Sequence, residues 1–386
     1  MRSAPLLALL ALVGSTAVAC GGSAHTSGQT APATPAPTVT TTVPVPATTS
    51  TVPDPAASIA QEPLGVAVQS VTFVSATQGW LLGTSAGRER VEETTDGGTH
   101  WHPLVYIPPG KVTGIRFADA AHGYAYSRDA LDLTSDGGRS WRRLTLPDED
   151  GPADGTGAAE VAIAGGRAWL LNAAAPYPSI YTAPVGSTSF RRVGQSGNRG
   201  DFLTVRGGEA YVVGFQGAGP IAPDLEVATT AGVSKRATPC GGPNGQGAAD
   251  GVTAGAGDTT GLAPTTTAGQ LLAVCGGDPT SPIPASPIER STNDGRTWAG
   301  VAVLHTCAAT GVAYAASAAY VACSGGGLVR YPLAATGQTT ELAGVKLTYV
   351  GFTNDSGGVA ISDPSGKGGT LYVTRDGGAQ WTKAVT

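Results

Sequence analysis

The chain has 386 residues, 57 of them glycine, only 13% charged residues and a formal net charge of −5. A mildly acidic chain argues against a nucleic-acid partner, because phosphate binding needs a concentrated positive surface. Abundant glycine between short apolar runs, with no long capped amphipathic helix, argues against helical packing and for many strands joined by turns.

Residues 1–19 read as an export signal. Arg2 supplies a positive start and Leu6 to Val13 an apolar run too short to span a bilayer as a mature helix. The small residues Ala17-Val18-Ala19-Cys20-Gly21 resemble a bacterial lipoprotein signal, although Ala17 stands where that family usually has leucine. The resemblance implies lipid attachment at Cys20. Acyl chains contribute about 0.8 kcal/mol per buried methylene, so a multiply acylated cysteine anchors a chain without a transmembrane helix. From residue 20 to residue 63 the composition is Thr, Pro, Ala, Ser and Val, as in Thr38-Val39-Thr40-Thr41-Thr42-Val43-Pro44. Such a segment buries too little apolar surface to offset its ordering entropy, and reads as an extended tether.

Residues 64–386 repeat. Thr94-Thr95-Asp96-Gly97-Gly98-Thr99-His100-Trp101 returns as Thr134 to Trp141, around Asp136, and as Thr374 to Trp381, around Asp376. A fourth copy, Ser291 to Trp298, has Asn293 in place of the aspartate. The carboxylate can accept backbone N–H groups inside a tight turn, and the second glycine supplies a backbone angle closed to most residues. The near-identical contexts suit structural staples. Acid–base catalysis needs unlike environments that separate pKa values. Trp101, Trp141, Trp298 and Trp381 are each expected to be substantially buried, and alanine there to cost roughly 3–5 kcal/mol.

A second repeat counts the units: Gly79-Trp80-Leu81-Leu82, Gly123-Tyr124-Ala125-Tyr126, Ala168-Trp169-Leu170-Leu171, Ala210-Tyr211-Val212-Val213, Gln270-Leu271-Leu272-Ala273, Ala319-Tyr320-Val321-Ala322 and Gly358-Val359-Ala360-Ile361. Runs such as Val68 to Phe73, Val112 to Phe117 and Leu347 to Phe352 precede several of these quartets. Each unit then supplies about four short strands. The fold expected is all-β, a β-propeller of seven four-stranded blades, with the third, fourth and sixth lacking a recognisable aspartate turn.

The Ser/Thr-x-Asp-x-Gly-x-x-Trp pattern matches the Asp-box, or BNR repeat. Gly79 to Gly83, followed by Thr94 to Gly98 and Trp101, is most similar to the photosystem II stability and assembly factor family. That resemblance implies a propeller and a non-enzymatic, protein-binding role. It does not carry over photosynthesis, because the family's functional basic patch has no residue-by-residue match here.

Apart from Cys20 there are four cysteines, which allow three connectivities. Cys307 and Cys323 flank the first two strands of the sixth unit, and Cys240 and Cys275 bracket the glycine-rich stretch Gly241 to Gly261. The expected pairs are therefore Cys240–Cys275 and Cys307–Cys323. Other signals are weak. Gly366-Lys367 lacks the rest of a phosphate loop, and His100 and His102 lack a third metal ligand. The acidic run Asp148 to Asp154 does not fit a calcium loop. No cofactor or metal is expected. The functional expectation is a cell-envelope lipoprotein whose propeller binds an envelope protein or glycan without catalysis. Gly241 to Gly261 and Pro176-Tyr177-Pro178 are its candidate contact elements. A glycoside hydrolase, sialidase-like or another Asp-box glycosidase acting through paired carboxylates, is the alternative.

Overall fold

The chain divides into Met1–Ser58 and Ile59–Thr386. In the computed structural model the described residues are 65–104, 112–147, 158–172, 177–197, 202–213, 225–240, 259–276, 285–305, 307–334, 337–363 and 369–384. Cys20, the signal and tether segments, the Asp148 to Asp154 run, Gly366-Lys367, Pro176 and residues 241–258 lie outside them. Among the described residues no helix is long and apolar enough to cross a membrane.

Seven four-stranded antiparallel sheets, each a meander of consecutive strands, form a seven-bladed β-propeller. The inner strands are Ala67–Phe73, Gly114–Phe117, Ala158–Ala164, Phe202–Arg206, Thr259–Pro264, Ala309–Ala315 and Tyr349–Phe352. From blade 1 to blade 7 each packs against the inner strand of the next blade, and the inner strand of blade 1 meets the second and third strands of blade 7. The expected quartets fall on the second strands, which are buried on both faces because a blade is sandwiched between two neighbours. Thr259 to Gly261 belong to the inner strand of blade 5, so the glycine-rich connection is shorter than its composition suggested.

Blades 1, 2 and 7 share one packing unit. The last residue of the inner strand is Phe73, Phe117 or Phe352, paired across the hairpin with Gly79, Gly123 or Gly358. A Cβ at any of these glycines would stand 2.6 Å from the phenyl ring, so only glycine lets the ring lie flat on the neighbouring strand. The same ring meets Trp101, Trp141 or Trp381 edge-on at 5.9, 6.0 and 5.9 Å. Blade 3, without an aspartate turn, uses Phe190 against Tyr124 at 5.9 Å.

The four repeated turns share one hydrogen-bond scheme. In blade 1 the Gly98 N–H donates to Thr94 Oγ1 (2.9 Å), and the Thr99 and His100 N–H groups donate to Asp96 Oδ1 (3.0 and 2.9 Å). Asn293 Oδ1 accepts the Thr297 N–H at 2.9 Å, so the scheme needs a side-chain oxygen and not a charge. Gly97 and Gly98 take φ of 74° and 87°; in blade 5 the first of these positions is Asp294, at φ 57°.

That first position also receives the preceding blade. Trp80 Nε1 donates to Gly137 O at 3.0 Å and Tyr320 OH to Gly377 O. Arg206 and Tyr211 reach the Asp294 carboxylate. At the seam between blades 7 and 1, Arg375 Nη2 donates to Asp96 O, Gly97 O and Thr99 Oγ1 at 2.7, 2.9 and 2.7 Å. The Val68–Gly369 backbone pair and a core joining Val68, Leu81 and Trp101 to Val359, Ile361 and Leu371 complete the seam. The turns therefore join blade to blade as well as strand to strand.

The turn tryptophans meet the expectation of burial to different degrees: Trp101 is buried, whereas Trp141, Trp298 and Trp381 are half-buried. They cap the outer part of the blade, whereas the fully buried aromatics are Trp80, Trp169, Tyr124, Tyr211 and Tyr320 on the second strands. Both disulfides form in the expected pairing, Cys240–Cys275 and Cys307–Cys323. Such bonds persist in oxidising compartments outside the cytoplasm.

Candidate binding site at the central channel

Hydrogen-bond register places one inner-strand residue opposite the fourth position of each quartet. These residues are Ser70, Gly114, Glu160, Phe202, Leu262, Gly311 and Tyr349, one per blade. They form a tier around the axis. Two of the three exposed large hydrophobic side chains among the described residues, Phe202 and Tyr349, stand in this tier. The third is Tyr177, 47% exposed, beside the expected Pro/Tyr contact element. Tyr349 lies along its own strand: its hydroxyl would be 2.4 Å from a Cβ at residue 351, and Gly351 leaves room for it.

The axis encloses a cavity of about 800 Å³ lined by Arg116, Glu160, Phe202, Arg206, Tyr314 and Tyr349 with smaller residues. Two adjoining cavities also include Arg116 and Tyr349. One side of the channel is a polar corner contributed by blades 1 to 3. Arg116 Nη1 donates to Ser70 Oγ (3.2 Å) and Ile115 O (2.9 Å), and Nη2 donates to Glu160 Oε1 (3.2 Å). Tyr126 OH donates to the same Glu160 oxygen at 3.1 Å. Gly114 is again the enabling residue, since a Cβ there would sit 2.4 Å from the Tyr126 ring. Burial, reinforced by the nearby Glu160 carboxylate, pushes the Tyr126 phenol well above its ordinary range, so it remains a hydrogen-bond donor. The wall away from this corner carries Phe202, Leu262, Pro264 and Tyr314, while Tyr349 shares a smaller cavity with Arg116, Tyr126 and Glu160. The channel thus presents a paired charge facing an apolar wall, an arrangement suited to an amphipathic ligand.

Asp96, Asp136, Asn293 and Asp376 are absent from this lining; each oxygen serves its own turn. Against the upward pull of burial, hydrogen bonds from the His100 N–H, the His100 ring and the Thr94 hydroxyl bring the Asp96 carboxyl down to about 2. Asp136 and Asp376 are lowered chiefly by the Ser140 hydroxyl and the Gln380 N–H respectively. His100 is thus engaged by its own turn, and among the described residues no group of three His, Cys, Asp or Glu could hold a metal. The Arg116–Glu160–Tyr126 corner was not singled out from sequence, yet its signal was present: a charge interrupting the apolar run Val112 to Phe117.

Two buried carboxyls shift in the direction opposite to these aspartates. Glu289, 4% exposed, has an oxygen with no partner among the described residues, and burial raises its pKa. Burial also raises Glu92, against the attraction of Arg90 and His102. A raised folded pKa gives stability that is complete below the unfolded value, near 4.5, and lost as pH rises through the folded one. The lowered aspartates contribute above their unfolded value of 3.8 and lose that contribution as pH falls through the folded value. Stability is therefore expected to peak at mildly acidic pH. Glu289→Gln should raise the thermal midpoint at pH 8 more than at pH 4, which thermal melts across that range would check. An equal shift at both would contradict the buried-charge account.

No protein-family model and no curated protein sequence matches this chain. Among solved structures it is similar to YCF48 bound to D1 peptide, with a TM-score of 0.55 and 16% identity, covering 81% of this chain and 95% of that one. It is also similar to Saccharomyces cerevisiae Sqt1, with a TM-score of 0.51 and 9% identity over 82% and 84% of the two chains. The β-propeller domain of the Trilobed protease from Pyrococcus furiosus gives 0.51 and 6%, over 83% and 98%. At these identities the likeness shows the propeller fold alone.

Proposed function

We propose that this chain is an exported, lipid-anchored binding propeller, tethered through Cys20, that takes an extended segment of an envelope protein into the mouth of its channel. The carrying observation is the tier itself: Phe202 and Tyr349, exposed aromatics, share a ring with Glu160 and its Arg116 and Tyr126 donors. Exposed aromatic anchors beside satisfied polar groups are the chemistry of protein recognition. The YCF48 propeller, whose structure contains a bound peptide, supports that reading by analogy. The repeated turns, read as Asp-boxes, are framework and not reactive groups.

A photo-crosslinking amino acid at position 202, in the tethered chain in intact envelopes, tests the proposal. The expected result is one dominant protein adduct, reduced at least tenfold by Tyr349→Ala, a change at an exposed side chain that leaves the melt unaltered. Adducts unchanged by Tyr349→Ala would remove the channel from consideration. Efficient turnover of a glycoside panel would overturn the non-catalytic part.

A further inference from the structure

Blade meets blade through a second-strand side chain that points to the next blade. In blades 1 and 6 this is Trp80 or Tyr320. Each lies against a phenyl ring of the following blade, Phe117 or Phe352, with centroids 4.0 and 4.6 Å apart, and donates to the carbonyl of the first turn glycine there. Blades 2, 3 and 4 place the buried rings of Tyr124, Trp169 and Tyr211 in this position, and blade 5 places Leu272. Blade 7, which faces blade 1, has Val359. A valine lays no ring on Phe73 and offers no donor to Gly97 O. The residue after the outer strand is smaller too. Leu104 and Leu144 follow the outer strands of blades 1 and 2, donating their N–H groups to Val91 O and Leu131 O; the matching residue of blade 7 is Ala384, which donates to Leu371 O. A cavity of about 330 Å³ lies there, between Gly97 to Thr99 of blade 1 and Val373, Lys383 and Ala384 of blade 7.

Topology sets the same junction apart. Every blade is a complete meander of consecutive strands, so no strand from one end of the repeats completes a sheet at the other. Elsewhere inner strand packs on inner strand; here the inner strand of blade 1 packs on the second and third strands of blade 7. Two smaller cavities, each lined by both Val71 of blade 1 and Tyr349 of blade 7, adjoin the channel at this place. The donor that Val359 lacks comes from Arg375, an exposed side chain in the turn of blade 7, which reaches Asp96 O, Gly97 O and Thr99 Oγ1. The equivalent positions of the other three turns are Thr95, Ser135 and Thr292, none of them long enough to span a junction. An exposed side chain exchanges its hydrogen bonds for bonds to water at little cost, whereas pulling apart a stacked, buried ring exposes apolar surface.

We propose that the seam between blades 7 and 1 is a latch at which the ring opens while its blades stay folded, with Arg375 as the catch. Opening joins the outer cavity to the channel and lets an extended segment enter sideways, without a free end to thread. That use rests on the channel reading; the opening itself does not.

Thiol labelling of the full-length chain under native conditions, with no partner present and each labelled peptide identified by mass spectrometry, tests the latch. Val359→Cys places a thiol in the seam and Val91→Cys places one between blades 1 and 2; both side chains are buried. The seam thiol is expected to react roughly tenfold faster, because local opening exposes it without unfolding the blades. Arg375→Ala should speed it about fivefold further and leave the other thiol unchanged. Ala384→Leu, which supplies the leucine that blades 1 and 2 carry, should slow it. Equal rates at the two positions overturn the proposal, as does a seam rate indifferent to Arg375→Ala. If a cysteine variant fails to fold, residue-resolved amide exchange in the chain with both valines intact decides. The Val68 and Gly369 amides, paired across the seam, should lose protection on Arg375→Ala while Leu81, inside blade 1, keeps it. Unchanged protection at Val68 and Gly369 would equally sink the latch. Fast labelling in the seam together with no crosslink from position 202 would refute the channel reading and leave the latch standing.

Discussion

Replacing Trp80 by alanine is expected to lower stability by about 3–5 kcal/mol, the range for a fully buried large aromatic. Trp80 is 0% exposed, stacks on Phe117 of the next blade at 4.0 Å, and donates its indole N–H to Gly137 O. Its loss opens a cavity between blades 1 and 2 and strips a donor from the turn that blade 2 uses to hold itself together. The matching change at Trp298 should cost less than half as much. That ring is half-buried, and its removal leaves the Ala237 carbonyl, the acceptor of its indole N–H, to water. Equilibrium unfolding in guanidinium of both variants checks the ordering. Equal losses would mean that the turn tryptophans, and not the second-strand aromatics, are the main pillars of the ring.

Removing the Cys240–Cys275 disulfide should cost about 4 kcal/mol, and removing Cys307–Cys323 about 3 kcal/mol, from loop-closure entropy in the unfolded chain. The order follows from the sequence separations, 35 against 16. All four cysteines are buried, so paired Cys→Ala replacements leave small apolar side chains in place and isolate the cross-link. Thermal and chemical melts of the two double variants, compared with the parent under non-reducing conditions, measure the difference. A larger loss on removing the shorter loop would show that local packing around Cys307 and Cys323, in the core shared by blades 5 and 6, outweighs chain entropy.

The amino-acid sequence by itself determined what depends on neighbours a few residues apart. The hydroxyl residue, the Asp or Asn and the glycine of each turn satisfy one another within four residues, so a short pattern is enough to announce the turn. The quartets announce second strands because both faces of a blade are covered, and the cysteines announce their partners because each pair brackets a hairpin or one connection. From these the blade count and the disulfide pairing follow.

Only the tertiary structure decided what depends on closing the ring. Trp80 and Trp141 look alike as tryptophans in strand-rich segments, and the packing of blade on blade makes one a fully buried pillar and the other a half-buried cap. Arg116 and Glu160 are 44 residues apart and belong to different blades; ring geometry alone brings them to one oxygen. The channel tier draws one residue from each of seven repeats. Short-range hydrogen bonds are written locally in the chain, whereas burial, charge pairing across blades and the composition of the axis are properties of the closed ring.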